Sequence, residues 1–169
     1  MATTKPRGDK RTISPIPSGA QTLTAYLIVK NAGDAIQFYK KAFGAKELFR
    51  IEAPPGTIGH AELQIGKSRF MLAEVFPDMG AISPRSVGGS PVTFHLYVKD
   101  VDAAAQKAIR AGLKVTRPIA DQFYGERSGK IEDPFGHLWS MSSRIEKVSL
   151  REMQKRAAKL FAAQPTDGT

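Results

Sequence analysis

Hydrophobic and polar positions alternate along residues 23–29, with Leu23, Ala25, Leu27 and Val29 on one side and Thr24, Tyr26 and Ile28 on the other. A period of two residues is that of a half-buried strand. After Val29-Lys30-Asn31 the spacing becomes helical and ends at Gly44. Three further strands are predicted at 46–52, 59–65 and 68–74, the last two joined by a tight turn at Gly66–Lys67. The order then repeats. A strand at 92–98 ends in Val98-Lys99-Asp100, a helix runs to Gly112, and strands follow at 113–118, around 127–133 and at 137–143. Val29 and Val98 lie 69 residues apart and Gly66 and Gly136 lie 70 apart, so the offset holds along the whole module. Asn31 and Asp100 are the expected helix N-caps, because a side-chain oxygen there accepts from the free N–H groups of the first turn. Gly44 and Gly112 suit the left-handed residue that closes a helix.

The pattern defines an α+β chain of two βαβββ modules, residues 21–75 and 91–146. Between them 76–90 is rich in Pro, Gly and Ser and reads as a linker. Ser149 to Glu152 is a capping-box pattern, and Leu150, Met153, Ala157 and Leu160 recur at helical spacing, so residues 147–163 form a C-terminal helix. That helix is expected to pack one face on the body or on a second subunit. Residues 1–20 and 164–169 are polar tails expected to be disordered.

The segments AYLIVKNAGDAIQFYKKAFGA, GHAELQIGKSRFMLAE, GGSPVTFHLYVKDVDAA and DQFYGERSGKIEDPFGHLWS resemble the PhnB-like glyoxalase/bleomycin-resistance proteins of the vicinal oxygen chelate superfamily. The resemblance covers residues 15–155. It implies curled mixed sheets around a shared cavity, commonly in a homodimer, and by itself no particular reaction. In metal-dependent members it implies a divalent cation held by His, Gln or Glu from the first and last strands of each module. The matching positions here are Thr24, Thr93 and Ser140, with no donor at 70–73 and Glu74 just beyond. Neutral hydroxyls are weak ligands for such cations, so the expectation is a site without the usual metal and without a cofactor.

Strand alternation nominates other residues. Tyr26 and His95 occupy equivalent places on the cavity side, with Tyr97 beside His95. His60, Glu62 and Gln64 share the face opposite Ala61, Leu63 and Ile65. His60 with Glu62, or His95 with Glu74, could act as base and orienter, or His60 and Glu62 as a relocated metal pair. A solvated outer face or structural hydrogen bonding is the favoured reading of His60 and Glu62. His137 reads as a turn or surface residue and Trp139 as core on the helix side. The resemblance puts Gln122, Phe123 and Tyr124 in a loop beside the cavity mouth. Arg127 then suits either an anionic substrate group or an ion pair with Glu126, Glu132 or Asp133.

Composition narrows the classes. With no Cys there is no disulfide framework or thiolate chemistry. No apolar run suits a membrane span, and no hydrophobic stretch follows the basic N-terminus, which points to a cytoplasmic protein. The net charge of +9 suggests a polyanion, but +3 lies on residues 1–22 and +3 on residues 144–169, leaving a nearly balanced body. Nucleic acid is therefore the less favoured partner. The leading reading is a small-molecule-binding protein with a cavity ringed by Tyr26, His95, Tyr97 and Tyr124. The alternatives are a lyase- or isomerase-type enzyme with relocated His/Glu chemistry and a polyanion binder acting through its tails.

Overall fold

The computed structural model describes residues 13–54 and 56–162. It contains β1 (Ala25–Val29), α1 (Ala32–Phe43), β2 (Lys46–Glu52), β3 (Ile58–Ile65) and β4 (Ser68–Glu74), then β5 (Thr93–Tyr97), α2 (Val101–Ala111), β6 (Lys114–Asp121), β7 (Glu126–Glu132) and β8 (Leu138–Arg144). A final helix, α3, spans Leu150–Ala162. The strand orders are β1-β4-β3-β2 and β5-β8-β7-β6, so the two halves share one topology. In each, the first strand joins the last in parallel and the remaining pairs are antiparallel. Residues 76–90 carry two single-turn helices, at Pro77–Met79 and Pro84–Val87. Residues 1–12 and 163–169, most of the two predicted tails, lie outside the described residues.

Alternation sorts the strands as the sequence predicts. Leu27, Val29, Ala61, Leu63 and Leu72 of the first sheet are buried against α1, and Ile131, Trp139 and Met141 of the second join the same core. That core runs across both modules. α1 lies against α2, and Tyr39 on α1 contacts the rings of Phe70 from its own module and Phe135 and Trp139 from the other. Asp133 completes the junction. Its Oδ2 accepts from Tyr39 Oη at 2.8 Å and Trp139 Nε1 at 2.9 Å, and its Oδ1 accepts from the backbone N–H groups of Phe135 and His137. Burial and the neighbouring Asp133 carboxylate push the Tyr39 phenol well above its ordinary range, so it stays a donor.

Three local expectations are corrected. Asn31 adopts a left-handed conformation (φ 62°) and caps nothing with its side chain. Glu74 does that work across the sheet, its two oxygens accepting from Asn31 N–H and Ala32 N–H at 2.8 Å each. A carboxylate at that point also meets the positive end of the helix dipole. Asp100 caps α2 as predicted, accepting from Ala103 N–H at 2.9 Å. Leu23 is exposed, because strand pairing begins at Ala25. His137 is no surface residue; it is buried, with Nε2 3.2 Å from the Ile28 carbonyl oxygen of the other module.

Candidate functional site

Each sheet turns one face to the helices and leaves the other open. On the first sheet the open face carries Tyr26, His60, Glu62 and Met71. Tyr26 Oη and His60 Nδ1 lie 2.9 Å apart with the rings edge to face, and Phe49 of β2 packs beside His60. Glu62 sits 4.0 Å from Arg69. Residues 15–22 lie over part of this face, held by Gln21, whose amide donates to Lys67 O and whose oxygen accepts from Arg69 N–H. The segment encloses a cavity of about 300 Å³ with Thr24, Glu62, Arg69 and Met71.

The second sheet gathers more chemistry. His95 Nε2 is 2.9 Å from Ser142 Oγ and 3.8 Å from Glu126 Oε2. Tyr97 Oη donates to Glu126 Oε1 at 3.0 Å, and the His95 and Tyr97 rings meet edge to face at 4.6 Å. The hydrogen bond to Glu126, with a lesser contribution from desolvation of this exposed ring, raises the Tyr97 phenol above its ordinary value, so it remains protonated at neutral pH. Tyr124 Oη lies 3.0 Å from Ser128 Oγ, which Arg117 also reaches at 3.4 Å. Tyr97, Tyr124, Glu126, Arg144, Val148 and Met153 line a cavity of about 470 Å³.

Met153 of α3, with Val148 just before the helix, closes one side of that cavity. Arg156 on α3 pairs with Glu146 through two 2.7 Å contacts, and also donates to Glu152 at 3.0 Å and to Phe123 O at 3.4 Å. These bonds tie the helix to the turn at 122–125. Gly125 makes the approach possible. It has φ +88°, and a Cβ there would come within 2.6 Å of Val148 and 2.7 Å of Glu146 O.

The structure thus brings His95, Tyr97 and Tyr124 together, while Tyr26 is paired with His60 on the first sheet. Arg127 is on the helix side of β7, with Nε and Nη2 on Asp102 of α2 at 2.7 and 2.9 Å and Nη1 on Asp121 at 2.9 Å. Its partners are these two, not Glu126, Glu132 or Asp133: strand parity turns it away from Glu126 and Glu132, and Asp133 is taken up by Tyr39, Trp139 and two backbone N–H groups. The paired guanidinium holds the Asp102 carboxyl below its usual range. Glu74 spends both oxygens on the α1 cap. Glu126, Ser142 and Arg144 were not singled out from the sequence, although their even positions on the last two strands carry the same alternation signal used for β5.

The family positions for a divalent cation can be tested on their donors. Thr24 Oγ1 donates to the Gln21 carbonyl at 3.1 Å, Ser140 is buried, and Thr93 offers another neutral hydroxyl. Among the described residues no three His, Cys, Asp or Glu side chains are grouped to hold a metal ion. Three hydroxyls do not fit a divalent cation that needs charged or imidazole donors.

Known proteins share this architecture. The family model described as Glyoxalase/Bleomycin resistance protein/Dioxygenase superfamily matches residues 21–141. The uncharacterised protein Rv0887c of Mycobacterium tuberculosis is 42% identical over 151 residues, 88% of this chain and 86% of the relative. A solved structure of the Arabidopsis thaliana protein At5g48480 is 34% identical with a TM-score of 0.60, covering 72% of this chain and 98% of that one. The fosfomycin resistance protein FosX of Listeria monocytogenes, solved with Mn(II) and sulfate, shares the fold at 18% identity and a TM-score of 0.59, over 81% of this chain and 97% of that one.

Proposed function

Since the chain belongs to the glyoxalase/bleomycin resistance protein/dioxygenase superfamily, a fold that hosts binders and enzymes alike, we propose that it binds a small molecule on the open face of its second sheet without a divalent metal. The observation that carries this reading is the Tyr97–Glu126 hydrogen bond, with His95 3.8 Å from the same carboxylate, beside a cavity of about 470 Å³ that Tyr97, Tyr124 and Glu126 line together with Met153 of α3. Aromatic rings give contact area at low entropic cost, and a few fixed polar groups orient the ligand. Thr24, Thr93 and Ser140 support the metal-free part, since their hydroxyls cannot replace a His/carboxylate set.

Among the described residues no helix is long and apolar enough to cross a membrane. A cytoplasmic protein acting as a homodimer is the proposed form, and the exposed Leu150, Leu160 and Phe161 on α3 favour a second subunit over solvent. Native mass spectrometry with elemental analysis of the purified chain tests the reading. A trapped organic ligand and substoichiometric metal are expected. A tightly held stoichiometric divalent metal, removable only with loss of ligand, would overturn it.

One observation favours a second reading, a lyase- or isomerase-type enzyme. His95 and Glu126 stand 3.8 Å apart on the open face, close enough for both to reach one atom of a substrate placed over them. On that reading His95→Ala abolishes turnover of an α-keto or hemithioacetal-like substrate while leaving the unfolding midpoint unchanged.

A further inference from the structure

Glu126 and Arg144 are direct partners across β7 and β8. Cβ atoms at such positions on one sheet face lie about 5 Å apart, and opposite charges there ordinarily join. Here they do not. Glu126 accepts from Tyr97 Oη at 3.0 Å and faces His95 at 3.8 Å, while Arg144 Nε donates to Glu146 O at 3.4 Å. Among the described residues no ion pair links the two side chains, and both line the same cavity with Tyr97, Tyr124 and Met153. A carboxylate and a guanidinium are therefore presented side by side to whatever occupies it.

A ligand of one sign would satisfy one of these groups and set its own charge against the other. A neutral apolar ligand would strip water from both without replacement, which is costly for charged groups. We propose that the cavity takes an amphoteric small molecule that presents an anionic group to Arg144 and a cationic or N–H donor group to Glu126. Its apolar or aromatic body then lies against Tyr97, Tyr124 and Met153. A zwitterionic aromatic amino acid is the simplest member of this class. The inference rests on the small-molecule reading of the same cavity and adds the charge pattern of the ligand.

Isothermal titration calorimetry on the full chain separates the possibilities with four probes: phenylalanine (zwitterion), 3-phenylpropanoate (anion), phenethylamine (cation) and 2-phenylethanol (neutral). Phenylalanine is expected to bind about ten-fold more tightly than either singly charged probe, the factor that one additional charge-assisted contact of about 1.4 kcal/mol supplies. Glu126→Gln, which still accepts from Tyr97, should remove that advantage and tighten 3-phenylpropanoate, whose charge no longer meets a carboxylate. Arg144→Met should remove it and tighten phenethylamine, whose charge no longer meets a guanidinium, with Arg144→Lys restoring part of the advantage. Equal binding of all four probes, lost in Tyr97→Ala, would overturn the charge pattern and leave the small-molecule reading standing. No binding by any probe would overturn the inference as well, and the trapped-ligand measurement would then judge the cavity on its own.

Discussion

The junction between the modules turns on one side chain, and Asp133→Asn isolates it. Asp133 is 1% exposed and accepts four hydrogen bonds, two from backbone N–H groups and two from Tyr39 and Trp139. An asparagine keeps its oxygen for Phe135 and His137 but turns an NH₂ toward Tyr39 and Trp139. The tyrosine can rotate its hydroxyl and accept. The indole cannot, so a buried donor loses its partner. Losing hydrogen bonds to a charged acceptor and stranding one donor costs about 2–5 kcal/mol. Relief from burying an anion acts in the opposite direction, but four donors already solvate this one, so the loss dominates. At roughly 2–4 °C per kcal/mol for a chain of this size, the midpoint should fall by about 5–20 °C. A thermal melt reads that midpoint, and guanidinium unfolding followed by the fluorescence of Trp139, the single tryptophan, reads the free energy. Tyr39→Phe should cost less, and the double variant should cost less than the two together, because both remove the same bond. A variant Asp133→Asn within about 1 kcal/mol of the parent would refute the claim that this carboxylate joins the modules.

Other expectations follow from particular contacts. Glu74→Gln should lower stability by about 1–2 kcal/mol in denaturant unfolding, because one of two backbone N–H groups at the start of α1 loses its acceptor and the helix end loses its anion. Gly125→Ala should cost about 2–4 kcal/mol, from the left-handed backbone together with overpacking against Val148 and Glu146, and should weaken any ligand held beneath α3. Burial sets the His137 imidazole below its ordinary value, against an opposing pull from Asp133 and the Ile28 carbonyl. The unfolded chain then binds the proton more readily than the folded one. Stability should be full above about pH 6.5 and decline on acidification below it, a slope that His137→Gln should reduce in a series of melts from pH 7.5 to 5.

Much of the fold was legible because alternation and the 69-residue offset are properties of the chain itself. Burial of Leu27, Val29, Leu63 and Trp139 follows from parity alone. What escaped depends on contacts distant in sequence. Asn31 has the right side chain for a cap, yet its left-handed backbone turns the oxygen away, and Glu74 is 43 residues distant. His137 follows a turn and would be exposed in an isolated module; packing of the two modules buries it against Ile28. The site was partly legible in the same way. Parity on β5 picked out His95 and Tyr97, whereas Arg127, one step out of phase with Glu126, faces α2. The part played by α3 in walling the cavity had no local signature, since Arg156 reaches Glu146 and Phe123 only in the folded chain.

Amide chemical-shift mapping of the ¹⁵N-labelled chain tests most directly whether a ligand binds the open face of the second sheet. Small aromatic fragments carrying acid, amine or amide groups would be added with and without EDTA. Shifts are expected at Tyr97, Tyr124 to Glu126, Arg144 and Met153, unchanged by the chelator. Shifts confined to Gln21 to Thr24 and β3, or shifts that vanish with EDTA, would contradict metal-free binding at that face.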